Sequence, residues 1–543
     1  MSKQANTTLA IRRSGLTGGA PLTFLLAAIA SLTPPSHAQP PAITWVRAVS
    51  GPGDDYGWGV AVDRANNVFA TGHFFGPATV GGTTLDRSAK EDTVLAKFDS
   101  AGNLRWVRQA GAAEFDEGRG VTTDADGNAY VTGSFTGTAS FGQTTLTSAG
   151  GADIFLAKYD GEGNLRWGTR GGGSSDDLGR GVATDAAANV LLAGHFKETA
   201  SFADLNLVSA GGPDIVVAKF DPQGKLLWAR AAGGAAADEA SAVTTDSAGN
   251  VYVTGSFTGA ARFGELALMS HGGSDVFIAK YDPLGQLLWV KSGGGATQSS
   301  SGIGFGLAVE EAGGVYVTGV VTGDALFDDS RLAHRGQGDV FVAKYAPDGQ
   351  LLWAQSFGDV GPDQGRGVGV DAHGNLYVAG FYLERITFGA TTFLSPGHAD
   401  VFVAKLSSDG RVLWAVQAGG TAYKAANGLA VSPQGACFIT GFHRGSTAFG
   451  GFSLTNNFPN NRDLFVARVD GPSNPRLGIT RAGSQVLLSW PASDAGFQLE
   501  STEGLPARTG WSRVPRPPAV VNGSRLVTDE ANGPARFYRL RAP

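Results

Sequence analysis

Tryptophan sets the period of this chain. Trp45, Trp106, Trp167, Trp228, Trp289, Trp353 and Trp414 follow one another at intervals of 61, 61, 61, 61, 64 and 61 residues. A second signature keeps the same beat in seven copies, from "GVAVDRANNVFATG" at Gly59 through "GVTTDADGNAYVTG" at Gly120 to "GLAVSPQGACFITG" at Gly428. A third leads into the tryptophan, as in "DIFLAKYDGEGNLRW" from Asp153 to Trp167. Self-similarity at a fixed period commits a chain to a repeat architecture, because each copy is one unit that buries its apolar face against the next.

Each copy holds four strand signals. In the second, "GVTT", "AYVTGSF", "DIFLAKY" and "NLRW" are short β-branched or aromatic runs, cut by turns such as "DADGN" and "DGEG". Runs of that kind, with no sustained helical periodicity, predict antiparallel strands. Four of them per repeat predict the blade of a β-propeller. The last copy has its third strand, "DLFVARVD" from Asp463, but no tryptophan strand after it, while the array opens on an orphan, "ITWVRAVSG" from Ile43. The simplest closure lets Trp45's strand complete the seventh blade and hides both sheet edges. The expectation is therefore an all-β chain: a seven-bladed β-propeller over residues 43–470, closed by its N-terminal strand.

The pattern "GNxYVTG … DxFxAKYDxxGxLxW" resembles the bacterial seven-bladed β-propeller repeat, the SBBP repeat, and recurs in register across nearly all of 43–470. Blade 7 departs from it, with Ser432 in place of the turn Asp and Arg468 in place of the Lys. The resemblance implies a fold of secreted or surface proteins and no single activity. Beyond "GPSNP", a linker at 471–475, the beat stops. Short strand signals from Gln485 to Leu540 are similar to a small fibronectin-III or immunoglobulin-like β-sandwich over 476–543, with nine arginines against five acids.

The N-terminus reads as an export signal over residues 1–38: Arg12 and Arg13, then the apolar run "LTFLLAAIASL", then "SHA" before Gln39. That run is too short to span a bilayer. The expectation is a monomeric exported protein, periplasmic, surface-bound or extracellular, with no membrane span. A net charge of −6 gives no basic face for nucleic acid. The single Cys437 allows no internal disulfide and sits at a strand position, as a small core residue would.

Most recurring residues read as scaffold. A tryptophan in every blade packs against the neighbouring blade rather than stacking a ligand. The Asp opening each third strand (Asp92, Asp153 and their equivalents) and the base five residues on (Lys97, Lys158 and theirs) read as structural pairing. The turn Asp supplies local hydrogen bonds. Calcium could use such carboxylates, but one Asp per turn leaves too few oxygens. "AKFDPQGKLLW" from Ala218 also resembles the tryptophan-docking motif of quinoprotein dehydrogenases, which generally have eight blades. No catalytic set, cofactor motif or metal motif emerges, and the histidines are scattered among blades.

Differences between copies are where specificity would sit. The tight turns between first and second strands and between third and fourth share one face. The long connections share the other, with room for an extra hairpin in "TGTASFGQTTLTSAGG". Just before each first strand, by this reading, stand Trp58, Arg119, Arg180, Ser241, Phe305, Arg366 and Asn427. Three residues earlier stand Asp55, Asp116, Asp177, Asp238, Gly302, Asp363 and Lys424. If the first strand is innermost, these circle one mouth of the central channel. The candidate ligand-binding set is thus Trp58, Arg119, Arg180, Phe305, Arg366, Asp55, Asp116, Asp177, Asp238 and Asp363. Arginines with aromatics in a concave site suit a carboxylated or hydroxylated ligand, whereas Asp–Arg bridging would only hold the loops. The leading functional expectation is a non-enzymatic binding or adhesion scaffold for glycan or protein ligands. The alternative is a polysaccharide hydrolase or lyase using Asp116 or Asp177, and the least favoured is a quinone-dependent oxidoreductase.

Overall fold

The structure is a computed structural model. It describes residues 9–10, 41–85, 90–111, 114–458, 460–471, 477–482, 485–491, 498–502, 511–521, 524–530 and 536–541. The expected leader lies outside these residues except for Leu9–Ala10, which pair with Phe537 and Tyr538. The expected linker lies outside them except for Gly471. Among the described residues every regular element is a β-strand.

The chain divides into two compact units, Ile43–Asp470 and the remainder. In the larger, each repeat forms an antiparallel sheet in simple up-and-down order. The first sheet runs Tyr56–Val62, Val68–Phe75, Glu91–Phe98, Leu104–Ala110. The seventh differs: Ala42–Val49 is its outermost strand, beside Arg462–Asp470, with Cys437–Arg444 and Lys424–Val431 beyond. Thr44 Oγ1 donates to Asp470 Oδ2 at 3.0 Å across that pairing. The first strands pack one against the next through all seven sheets, and that of the seventh packs on that of the first.

Apolar side chains fill the spaces between sheets. One cluster joins Leu191 and Ile215 of the third sheet to Val251 and Phe277 of the fourth; another joins Phe438 and Leu464 of the seventh to Val68 and Phe98 of the first. Cys437 is buried, and burial pushes its thiol pKa up. The long second-to-third connections do form hairpins, and these lie against the preceding sheet. Thr199–Phe202, for example, pairs its end with Gly171–Gly173 of the second sheet's outermost strand.

The periodic tryptophan reaches the next sheet by a specific contact. Trp106 Nε1 donates to the Gly161 carbonyl at 2.9 Å, and Trp45, Trp167, Trp228, Trp289 and Trp353 do the same to Ser100, Pro222, Pro283, Pro347 and Ser408. The indole lies on the glycine of the same turn. Gly163 has φ +81°, and a Cβ there would stand 2.7 Å from Trp106. Both the positive φ and the contact demand glycine.

The third-strand lysine shares that carbonyl, as with Lys97 Nζ to Gly161 at 2.9 Å. Its carboxylate partner is not the Asp five residues earlier, because an odd offset on a strand points the two side chains to opposite faces. It pairs instead with the first turn of its own sheet: Lys219–Asp185, Lys344–Glu310 and Lys405–Asp371 are each 2.9 Å apart. The turn carboxylates are already occupied. Asp124 Oδ1 accepts from the amides of Asp126 and Asn128, and Oδ2 from Asn128 and Tyr130 side chains. No group of three or more His, Cys, Asp or Glu able to hold a metal occurs among the described residues.

The smaller unit contains two antiparallel sheets. One orders Gly478–Ala482, Gln485–Pro491, Ser524–Glu530 and Ala519–Val521; the other contains Phe537–Arg541, Gln498–Thr502 and Ser512–Arg513. Trp490, Leu488, Leu499, Val527 and Tyr538 form its core.

Gly163→Ala should cost more than Gly259→Ala. The latter residue has φ +69° with nothing within 4 Å of its Cβ position, so it meets only the left-handed penalty of about 1–2 kcal/mol. Gly163→Ala adds the displacement of Trp106, roughly a further 1–3 kcal/mol. Denaturant midpoints of the two variants against the parent measure the difference.

Candidate functional site

The seven first strands share one irregularity. In each, the pairing with the second strand slips across one residue: between Gly57 and Gly59, Gly118 and Gly120, Gly179 and Gly181, Ala240 and Ala242, Gly304 and Gly306, Gly365 and Gly367, and Ala426 and Gly428. The bulged residues are Trp58, Arg119, Arg180, Ser241, Phe305, Arg366 and Asn427, within the strands rather than before them. A bulge frees a residue from the ladder and re-aims its side chain. The small flanking residues let the strands converge: a Cβ on Gly59 would lie 2.9 Å from the Arg119 carbonyl of the neighbouring strand. All seven bulged residues line one open cavity of about 230 Å³. The structure thus brings together Trp58, Arg119, Arg180, Phe305 and Arg366, as expected, and adds Ser241 and Asn427.

The side chains grouped around these bulged residues are lopsided. On one side charged groups alternate. Arg119 Nη2 lies 2.7 Å from Glu117 Oε1, and Arg180 Nη2 lies 3.0 Å from Glu239 Oε2. Burial alone would push Glu117 up, but His73 and the Arg119 charge bring its pKa down to about 2. His73 Nδ1 accepts a hydrogen bond from Trp58 Nε1 at 3.3 Å and lies 3.5 Å from Glu117 Oε2. Burial drives His195 down to about 4, against the pull of Glu239.

On the other side rings form an arc. Tyr56 stacks on Trp58 at 5.6 Å and meets Phe442 edge-on at 4.9 Å; Phe442 stacks on Tyr423, which adjoins Phe381 at 6.0 Å. Arg366 lies over Phe305 at 4.2 Å and near Phe381 at 5.9 Å. Among the described residues it has no carboxylate or hydrogen-bond partner, and its Nε is buried and unpaired, as are Arg180 Nε, His195 Nδ1 and Gln364 Oε1. Burial lowers the Arg366 pKa to about 10, with Arg119 and Arg180 pressing the same way.

The aspartates do not join this cavity. Asp55, Asp177, Asp238 and Asp363 are 0 % exposed and Asp116 is 1 % exposed. Their oxygens accept backbone amides of the outer loops: Asp177 takes Lys197 and Gly173 at 2.9 and 2.7 Å, and Asp238 takes Thr258 and Gly234 at 2.9 and 2.7 Å. An offset of three residues turns the side chain away from the channel. The structure thus places these carboxylates, Asp116 and Asp177 included, away from the cavity lining rather than at the mouth where they were expected.

The repeat pattern has a counterpart among known families. The SBBP beta-propeller repeat matches residues 105–137 and 227–259. The chain carries SBBP beta-propeller repeats at these two places. It is 22% identical over 461 residues to an uncharacterized WD repeat-containing protein, L264, of Acanthamoeba polyphaga mimivirus, covering 65% of this chain and 33% of that one. It is 26% identical over 442 residues to the regulatory protein FlaEY of Caulobacter vibrioides, covering 72% and 45%. This SBBP chain thus spans less than half the length of either relative. Among solved structures, the quinohemoprotein alcohol dehydrogenase of Comamonas testosteroni matches with a TM-score of 0.35 at 11% identity, over 81% of this chain and 79% of that one.

Each buried aspartate of the SBBP array faces a second carboxyl, the one that opens the preceding third strand. Asp153 and Asp177 converge on Gly172, where a Cβ would lie 2.6 Å from one and 2.9 Å from the other. Asp214–Asp238, Asp339–Asp363 and Asp463–Asp55 repeat the arrangement, and one oxygen of each first-named member is buried and unpaired. Burial, and then the facing carboxyl, raises Asp177 to about 7 and Asp363 to about 8. Folding therefore favours the protonated forms. The stability they add is complete below the unfolded value of about 4 and is lost as pH rises through about 7–8. Asp363→Asn cannot ionise but gives up one amide acceptor, at roughly 1 kcal/mol. It should melt below the parent at pH 5, and the gap should close or reverse by pH 9; parallel melting curves across that range would contradict the shared-proton reading.

Proposed function

We propose that this SBBP protein is an exported, monomeric, non-enzymatic binding scaffold. The seven sheets act as blades of one ring fastened by the N-terminal strand, and the C-terminal unit is a fibronectin-III or immunoglobulin-like sandwich. The ligand, a glycan or a protein segment, enters the central channel from the face carrying the long connections. The observation that carries this reading is the convergence of seven bulged residues on one cavity, among them Arg366, which has no carboxylate partner among the described residues. A concave site on which arginine, hydroxyl and amide groups converge is the natural place for a ligand. The cavity, about 230 Å³, is smaller than the roughly 300 Å³ at which pockets for drug-sized ligands begin. It suits one ring or chain end rather than a long segment.

A glycan array and a pull-down with the full chain, repeated with Trp58→Ala, Arg119→Ala, Arg180→Ala and Arg366→Ala, test the reading. Loss of at least tenfold in affinity is expected in two or more of the four. Binding that is unchanged in all of them would move the site off the channel.

The proposed fastening has its own consequence. Deleting residues 41–50 would expose the edge of Arg462–Asp470 and remove Trp45 from the core. The expected product is a self-associating species in sedimentation, whereas a stable monomer of unchanged melting temperature would refute closure by this strand.

A further inference from the structure

The channel carries a charge imbalance that its own residues do not resolve. Arg119 and Arg180 have Glu117 and Glu239 within 2.7 and 3.0 Å. Arg366 has no such partner among the described residues. Its neighbours across the opening are arginines, and burial weakens its hold on its proton. His195, driven down by burial, adds no charge near neutral pH. The lining therefore holds one uncompensated positive charge, which an uncharged ligand would leave unsatisfied.

Orientation defines the anion. The Arg366 guanidinium lies 4.2 Å over the Phe305 ring and Arg119 lies 4.0 Å over Trp58. Stacking on a ring fixes the plane of the guanidinium and leaves its edge, a fork of N–H donors, for a planar two-oxygen partner. A carboxylate fits that fork with two parallel hydrogen bonds. The same cavity is lined by Ser241, which brings a hydroxyl, and by Asn427, whose Nδ2 donates to the Gly57 carbonyl. Glu239 offers further acceptor oxygens. A ring of hydroxyls, each donor and acceptor, satisfies such a wall. A peptide end brings few hydroxyls, and any acidic side chain on it would meet Glu117 and Glu239.

We infer that the channel selects an acidic sugar, a hexuronate unit whose carboxylate takes the Arg366 fork and whose hydroxyls meet the polar side of the lining. The inference rests on the proposal that the channel is the binding site, and it narrows the ligand class. It implies that carboxyl-reduced forms of the same glycan are discriminated against.

Isothermal titration of the full chain with galacturonate- and glucuronate-terminated trisaccharides, alongside their carboxyl-reduced neutral counterparts, tests it. The acid form of at least one should bind ten times tighter or more, with a preference that weakens as salt rises. Arg366→Gln should abolish the preference, and Arg366→Lys, a point charge without the fork, should retain part of it; melting temperatures near the parent's establish that both variants fold. Equal affinity for acid and reduced forms, weakened alike by Trp58→Ala, would overturn the acidic-sugar inference while sustaining the channel as the site. An acid preference that survives Arg366→Gln and Arg119→Gln would overturn both. Absence of binding by every sugar, with capture of a peptide bearing a free C-terminal carboxylate, would overturn the inference and leave the channel to a protein ligand.

Discussion

The indole of each outermost strand, set on the turn glycine of the next sheet and bonded to that turn's carbonyl, is the contact on which the array depends. It explains why the chain repeats itself so closely. The tryptophan, the turn glycine and the lysine sharing the same carbonyl belong to two successive copies, so no copy can change one of them alone. Six of the seven tryptophans make this bond. Trp414 finds no such carbonyl among the described residues. The seventh sheet takes its fourth strand from Ala42–Val49, so no hairpin turn joins its last two strands, and Trp414 keeps the contact with its own sheet's second-strand ring, Tyr377 at 5.8 Å, that Trp106, Trp167, Trp289 and Trp353 also make.

A second contact repeats on the opposite face. The carboxyl opening one third strand meets the carboxyl ahead of the next first strand, and together they take the amides of the connecting loops. Two interfaces break the rule informatively. Lys424 replaces the second carboxyl at the sixth, and its Nζ lies 2.6 Å from Asp400 with both side chains buried. Gly302 replaces it at the fourth, where Asp275 Oδ1 takes the Gly295 amide alone. A cation, a carboxylic acid and a glycine all serve one position because its task is to satisfy loop amides and a buried carboxyl. The position does not line the cavity of the bulged residues.

The frame was legible because its spacing is rigid: seven tryptophans at one period leave few architectures. The channel set Trp58, Arg119, Arg180, Phe305 and Arg366 was legible too, once the first strand was taken as innermost. The aspartates three residues earlier misled, since equal placement in every copy does not say which side of a strand a residue occupies. The flanking small residues, as in Gly57–Trp58–Gly59, were the available sign that the middle residue is the one turned inward. The aromatic arc was harder to see. Tyr56, Phe381, Tyr423 and Phe442 occupy three different positions of the repeat, so aligning the copies scatters them, and only the packing of the sixth, seventh and first sheets on one another brings them together.

This division of labour has a physical basis. A bulged side chain projects into an opening, so its exchange leaves no void between sheets and disturbs no ladder bond. The frame can hold its period while Trp, Arg, Ser, Phe and Asn alternate around the channel. Sevenfold repetition of the backbone with an unrepeated lining would give the proposed ligand one orientation, aromatic arc to one side and charged groups to the other. The strands beneath are fixed by their neighbours on both sides, so the guanidinium of Arg366 is held in place before any ligand arrives. Little ordering cost would then fall on the proposed binding, and the uncompensated charge of Arg366 would be the source of the selectivity we infer.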